Sequence, residues 1–322
     1  MNPELTGGPF ARTGVIITTN SKPYNFVLFL GKFIRFVSNL PQFETLAVSV
    51  PKKNVYHVDL NRPKKLNTFN TIMWKELGLC FAKLSETPAC RAIVLSGQGK
   101  HFTGGIDLNS LVEEESKTQD IEDAARKARF FHQMILNCQR GISAIEECVK
   151  PVLAVTHNAC VGAGVDLITA ADIRYCTADS WFQVKEVDVG LAADVGTLQR
   201  LPKVIGNTST ARELCYTARK VDSKEALELG LVTRVYPDRD TAIKEVLDIA
   251  TTIASKSPVA VQMTKVSLVY SQSRPNQDGL DHIVSCKAFF GTKFLIAVST
   301  MLTLLTENAN MMAKELFDET NF

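Results

Sequence analysis

From about Thr45 onward, short runs rich in β-branched and apolar residues alternate with longer stretches of helical spacing, and few folds accommodate that order. The runs at 46–50, 55–60, 92–96, 152–156 and 173–176 read as strands, each bounded by turn or polar residues. Between them, 70–85 and 121–147 carry apolar positions at helical spacing. Strands separated by helices cannot pair as hairpins, so the pattern predicts an α/β fold with a mainly parallel sheet and crossover helices. After about Asn207 the chain reads as almost wholly helical, with a strand-like stretch at 231–236. The organisation expected is an N-terminal arm at 1–43, an α/β core at 44–235 and a C-terminal helical region at 236–322, rather than two independent domains.

Composition narrows the partners. With 322 residues the chain can bury a substantial core, and 36 Lys+Arg against 34 Asp+Glu leave a net charge of +2. That balance gives no bulk attraction to nucleic acid or to an anionic membrane. Within the arm, Arg12, Lys22, Lys32 and Arg35 lie among hydroxyl and apolar residues with Glu4 as the only acid, a pattern resembling a mitochondrial transit peptide. The apolar run at 26–37 is too short to span a bilayer and is cut by Lys32 and Arg35. At the other end, 288–305 is apolar apart from Gly291, Lys293 and a few hydroxyl residues, and is expected to be a buried or subunit-interface helix rather than a stable membrane insertion. The terminal Thr320-Asn321-Phe322 is not a Ser-Lys-Leu type of peroxisomal signal. Eight cysteines without a CxxC pair or zinc-finger spacing read as buried thiols of a reducing compartment, and no metal site is expected.

Several common catalytic motifs are missing. Gly97-Gln98-Gly99-Lys100 lacks the spacing of a nucleoside triphosphate loop, no GxGxxG opens a helix, and there is no HExxH or GxSxG. What remains is a pair of glycine turns: Phe102-Thr103-Gly104-Gly105-Ile106-Asp107-Leu108 after the third strand, and Val161-Gly162-Ala163-Gly164-Val165-Asp166-Leu167 before a helix. Small residues let backbone approach a ligand, and two such turns can aim N–H donors at one developing oxyanion. Plain turn geometry is the alternative for each. Downstream, Asp166, Glu186 and Asp194 sit among Val, Leu, Ala and Gly, where burial would raise their pKa values and suit them to passing protons. Here too structural roles stand beside the catalytic one: Asp194 can be a helix N-cap, and Asp188 a solvated surface charge.

Taken in order, Asn61-Arg62-Pro63-Lys64-Lys65-Leu66-Asn67, the two glycine turns, Ala171-Asp172-Ile173-Arg174 and Gly196-Thr197-Leu198-Gln199-Arg200-Leu201-Pro202 resemble the enoyl-CoA hydratase/isomerase superfamily, from about Thr45 to Ile283. The resemblance implies the crotonase fold, stacked mainly parallel β-sheets with crossover helices and a C-terminal helical region. It implies an oxyanion hole made by the N–H groups of Ile106 and Ala163, with Gly104, Gly105, Ile106, Asp107, Leu108, Ala163 and Gly164 along the acyl-CoA site. Relatives usually carry glycine at the position of Ala163, and the added methyl puts the fit of the thioester in question. The segment from Phe182 to Gly196 is similar to the branch that moves conjugated double bonds in dienoyl-CoA thioesters in fatty acid oxidation. On that pattern Glu186 removes the C2 proton, Asp194 protonates C6 and Asp166 orients the pair. Hydratases of the family carry glutamates at the positions of both Asp166 and Glu186, so a hydratase or a Δ3-Δ2 isomerase is the alternative. A non-catalytic RNA-binding branch would require a Lys-rich surface helix, and the mixed charges between Asp120 and Arg129 do not supply it. No cofactor is expected, because coenzyme A arrives with the substrate, its phosphates meeting the basic turn from Arg62 to Lys65. The family further implies a homohexamer built from two trimers, although the chain departs from the family pattern after about Cys286. A mitochondrial matrix location is expected, with a peroxisomal one as the alternative.

Overall fold

The apolar runs are buried because they lie side by side in one sheet with both faces covered. The structure, a computed structural model, describes residues 40–289. The predicted basic arm up to residue 39 and the apolar C-terminal run from residue 290 lie outside the described residues. Strands β1 (Leu46–Lys52) and β2 (Val55–Leu60) form an antiparallel pair, and helix α1 (Thr71–Glu86) crosses to β3 (Ala92–Gly97). Helices α2 (Leu108–Ser116) and α3 (Ala124–Glu147) precede β4 (Val152–Thr156), β5 (Ala159–Val161), helix α4 (Ala163–Thr169), β6 (Ile173–Thr177) and β7 (Trp181–Gln183). Then follow α5 (Thr197–Ile205), α6 (Thr208–Thr217), β8 (Val221–Asp222), α7 (Ser223–Glu228), β9 (Arg234–Tyr236), α8 (Arg239–Ser255), α9 (Pro258–Ser271) and α10 (Asn276–Phe289).

The main sheet runs β1-β2-β3-β4-β6-β9, parallel from β2 onward, and β5-β7-β8 form a second, smaller sheet. Every residue of β2, β3 and β4 is buried, as expected where helices or a second layer cover both faces of a parallel sheet. Alternation sorts the side chains. Val55, Val94 and Val155 meet Val246 and Ala250 of α8, whereas Val58, Leu95 and Ala154 face the larger core with Met73, Leu77 and Phe81 of α1. Two polar residues of β2 are also buried: Asp59 accepts hydrogen bonds from Ser96, from Gln98 at 2.7 Å and from Arg239 at 3.4 Å, and His57 meets Ser96 at 2.9 Å. Side-chain caps define the starts of the crossover helices: Asn70 accepts from the Met73 N–H, Asp123 from Arg126 and Asp238 from Thr241.

Three features differ from the sequence-based expectation. Strands β5, β7 and β8 have three, three and two residues, too short for any periodicity to register. The region after Asn207, expected to be helical apart from a strand-like stretch at 231–236, contributes β9 within that stretch and, unexpectedly, β8 to the second sheet. Helix α8, assigned to the C-terminal helical region, is the cover of the sheet's second face. Among the described residues, no helix is long and apolar enough to cross a membrane, and all seven cysteines with described side chains are unpaired.

Candidate active site

The two glycine turns are stitched to each other. Thr103 bridges to Cys160 of β5, its N–H donating to Ala159 at 3.0 Å while its carbonyl accepts from Val161 at 3.2 Å. Buried Asn67 holds the other side, its Nδ2 donating to the carbonyls of Gln98 and His101, while its own carbonyl accepts from Thr103 Oγ1 at 2.7 Å. Gly105, at φ +92, is required by this contact, since a Cβ there would stand 2.9 Å from the Val161 carbonyl oxygen.

That stitching leaves two donors unspent. Phe69 bridges to Ile106: the Phe69 N–H donates to Gly105 at 2.8 Å, and the Asp107 N–H donates to Phe69 at 3.0 Å. In such a parallel bridge the N–H of the middle residue points the opposite way, so that of Ile106 turns from Phe69 toward the cavity. Gly162, at φ +51, donates its own N–H to Gln183 at 2.9 Å, and Ala163 opens α4, where helix geometry provides no acceptor. Among the described residues, neither the Ile106 nor the Ala163 N–H has a hydrogen-bond acceptor. Both residues line one cavity of about 190 Å³, together with Gly104, Gly105, Leu108, Asp166, Glu186 and Asp194. A second cavity of about 240 Å³ shares Trp74 and Ile106 with the first and is walled by Phe69, Leu111, Phe130 and Met134.

The three predicted carboxylates line the first cavity in graded exposure. Asp166 is fully buried, and its Oδ1 accepts the Thr197 N–H at 2.5 Å. Burial pushes its pKa up to about 6, against the pull of the Thr197 hydrogen bonds and the Arg200 charge. Glu186 begins a short 3-10 turn, Glu186–Val189, closed by Gly190 in the left-handed conformation. Its Oε2 is buried without a hydrogen-bond partner, and Oε1 lies 3.2 Å from where a Cβ on Gly162 would stand. Desolvation, and then the charge of Asp166, push its pKa up to about 7. Asp194 is exposed at the mouth, and partial desolvation raises its pKa above the ordinary carboxylate value. An open mouth and a buried floor thus separate two carboxyls by environment.

Several sequence-based assignments change. Asp194 is not an N-cap: Gly196 occupies that position of α5, and the capping carboxylate comes from Asp166 on α4. Asp107 lines the second cavity and not the first, and its side chain pairs with Arg62 at 3.0 Å. Arg62 is likewise turned inward, donating to the Thr68 carbonyl, which leaves Lys64 and Lys65 as the exposed cations of the basic turn. Gly164 faces Thr103 and Cys160 instead of the cavity, and a Cβ there would come within 2.5 Å of Thr103 Cγ2. Asp188, by contrast, is the surface charge the sequence allowed, exposed and paired with Lys185 at 2.7 Å. Lining residues not among the predicted site residues include Trp74, Lys185, Val189 and Leu191. Trp74 carries only the signal of an apolar helix position, which is that of any core residue. Among the described residues no group of three His, Cys, Asp or Glu is arranged to hold a metal ion.

Comparison with known proteins identifies the family. The family model described as enoyl-CoA hydratase/isomerase matches residues 51–286. Over 243 residues the chain is 51% identical to the "Delta(3,5)-Delta(2,4)-dienoyl-CoA isomerase, mitochondrial" of Rattus norvegicus, covering 76% of this chain and 74% of that protein. It is 43% identical to the peroxisomal protein of the same name from Arabidopsis thaliana, over 72% of this chain and 83% of the relative. Among solved structures, a putative enoyl-CoA hydratase from Streptomyces coelicolor superposes with a TM-score of 0.70 at 26% identity, covering 89% of this chain and 95% of that one.

Proposed function

The chain belongs to the enoyl-CoA hydratase/isomerase family and has its crotonase fold, and on that premise we propose that it converts a 3,5-dienoyl-CoA into the 2,4-dienoyl-CoA. The observation that carries this reading is the unpartnered, buried Oε2 of Glu186 in one cavity with two unspent N–H donors and a second carboxyl, Asp194.

Glu186 takes the C2 proton, and the electron pair it leaves spreads through C3 to C6 and onto the thioester oxygen. The N–H groups of Ile106 and Ala163 hold that oxygen as charge develops, each donor contributing about 3 kcal/mol to the transition state. Asp194 then gives a proton to C6. The double bonds at C3 and C5 become double bonds at C2 and C4, with no change in oxidation state, so the chemistry calls for no redox cofactor. C2 and C6 lie several bonds apart on an extended chain, which is why one carboxyl at the floor and another at the mouth suit the transfer. Glu186 must be ionised and Asp194 protonated at the start, and the three carboxyls share protons as one coupled set. Each turnover moves a proton from Asp194 to Glu186, and the open mouth at Asp194 supports its return through solvent.

Asp166 acts here through position and charge, holding the Thr197 N–H and raising the pKa of Glu186. A hydratase would use this residue to hold water. Its Oδ1 is already engaged by the Thr197 N–H, which favours isomerisation. Incubation with a 3,5-dienoyl-CoA should generate 2,4-diene absorbance. Hydration of a 2-enoyl-CoA without any diene from the first substrate would overturn the proposal.

The family membership also supports a hexamer of two trimers, which native mass measurement tests. The basic N-terminal arm and the mitochondrial relatives support a matrix location, tested by fractionation of cells expressing the full chain.

A further inference from the structure

The segment that carries Asp194 is held by one face of a neighbouring helix. Between Leu191 and Gly196 the chain has no regular structure. Among the described residues, one side chain hydrogen-bonds to the backbone of residues 192–195: Gln139 Nε2 donates to the Asp194 carbonyl at 2.6 Å. Gln139 belongs to α3, and Ser143 and Glu146 lie one and two turns further along the same face. Those two hold Arg200, whose Nη2 is 3.2 Å from Ser143 Oγ and 2.8 Å from Glu146 Oε2. Arg200 in turn packs under the Asp194 segment, its Nη1 lying 2.0 Å from where a Cβ on Gly196 would be. At the far end, Asp166 takes the Thr197 N–H.

Helix α3 is itself fixed to the cavity wall. Gly141 approaches the backbone of α1 so closely that a Cβ would fall 2.5 Å from the Trp74 carbonyl oxygen, and Trp74 lines the cavity. Gln139 stands two residues before this contact, so it refers the Asp194 backbone to the same rigid wall that bounds the substrate. Among the described residues, no other side chain hydrogen-bonds to Asp194.

We propose that Gln139 is a positioning residue for the C6 protonation step, its amide fixing the main chain from which Asp194 reaches the distal carbon. The proposal rests on the isomerase reading, with Asp194 as the acid, and makes Gln139 irrelevant to C2 deprotonation by Glu186. A displacement of about 1 Å in such an acid costs up to about a hundredfold in rate, so loss of one anchor should cost roughly tenfold.

The distinguishing measurement is a partition made with 3,5-dienoyl-CoA in deuterium oxide. Exchange at C2 of recovered substrate reports Glu186, whereas formation of the 2,4-diene also needs the acid. Gln139→Met keeps the side-chain length and removes the donor. It should lower product formation roughly tenfold and leave C2 exchange within about twofold of wild type, so the exchange-to-product ratio rises roughly tenfold. Gln139→Glu, which also lacks an amide donor, should raise the ratio at least as much and serves if the Met variant does not fold. Asp194→Asn is the reference and should raise it further. A ratio that rises for Asp194→Asn but stays at the wild-type value for both Gln139 variants overturns the positioning role and leaves the isomerase mechanism intact. If Asp194→Asn also leaves the ratio unchanged, Asp194 is not the acid and the positioning role of Gln139 falls with that assignment, while the isomerase activity itself stands.

Discussion

Replacing Glu186 by Gln should make the protein more stable at neutral and alkaline pH while abolishing its base. In the folded state the carboxyl is desolvated and repelled by Asp166, which raises its pKa from the ordinary 4.5 to about 7. Below pH 4.5 the carboxyl is protonated whether the chain is folded or unfolded, and the shift has no consequence. As pH rises from 4.5 through 7, the unfolded chain ionises freely and the folded chain resists, so stability is lost across that interval. At 1.36 kcal/mol per pKa unit, the full loss at pH 8 is about 3 kcal/mol. This is an upper bound, because the Asp166 repulsion is shared by both carboxyls. Glutamine mimics the protonated form and escapes the penalty. For a chain of this size, about 3 kcal/mol corresponds to roughly 6–12 °C in melting temperature. Melting curves for wild type and Glu186→Gln, taken from pH 4 to 8 at one protein concentration, should nearly coincide at the acid end, separate progressively between about pH 4.5 and 7 and keep a constant gap above that. Parallel curves, or a variant less stable than wild type at pH 8, would refute the claim that Glu186 is held ionised against its environment.

The same group should appear in the kinetics. With Glu186 as base, kcat/KM should have an acid limb near pH 7 and fall about tenfold per unit below it; a limb near pH 4.5 in the pH–rate profile would assign the base elsewhere. Gly105→Ala forces a Cβ to 2.9 Å from the Val161 carbonyl oxygen at φ +92, so it should displace the Ile106 donor and lower kcat by about a hundredfold or more, and unchanged steady-state rates would contradict the oxyanion role. Lys265 is buried and pairs with Asp172 at 2.8 Å while donating to the carbonyls of Ile145 and Lys150. Lys265→Met leaves Asp172 without that partner, with an expected loss of about 3–5 kcal/mol in chemical denaturation; a loss below 1 kcal/mol would show that the pair does not tie α9 to the core.

The amino-acid sequence alone determined the parts of this protein that repeat or that depend on residue type. The runs at 55–60 and 152–156 coincide with β2 and β4 to the residue, because a strand buried on both faces must be continuously apolar or carry partnered polar groups. The glycine turns were visible as composition, since only glycine fits a positive φ at 105 against a neighbouring carbonyl. The roles proposed for Glu186 and Asp194 rest on resemblance to a family, not on spacing. Only the tertiary structure decided what depends on contacts between distant segments. Strands β5, β7 and β8 owe their existence to partners, being too short to show a period. Asp166 caps a helix thirty-one residues ahead of it, Asp107 turns to Arg62, and Gln139 reaches across fifty-five residues to the Asp194 carbonyl. Local pattern records which face of a strand or helix is apolar. It carries no record of which distant amide or carbonyl a polar side chain will meet, because that is settled when packed helices such as α1 and α3 bring their neighbours to within hydrogen-bond reach.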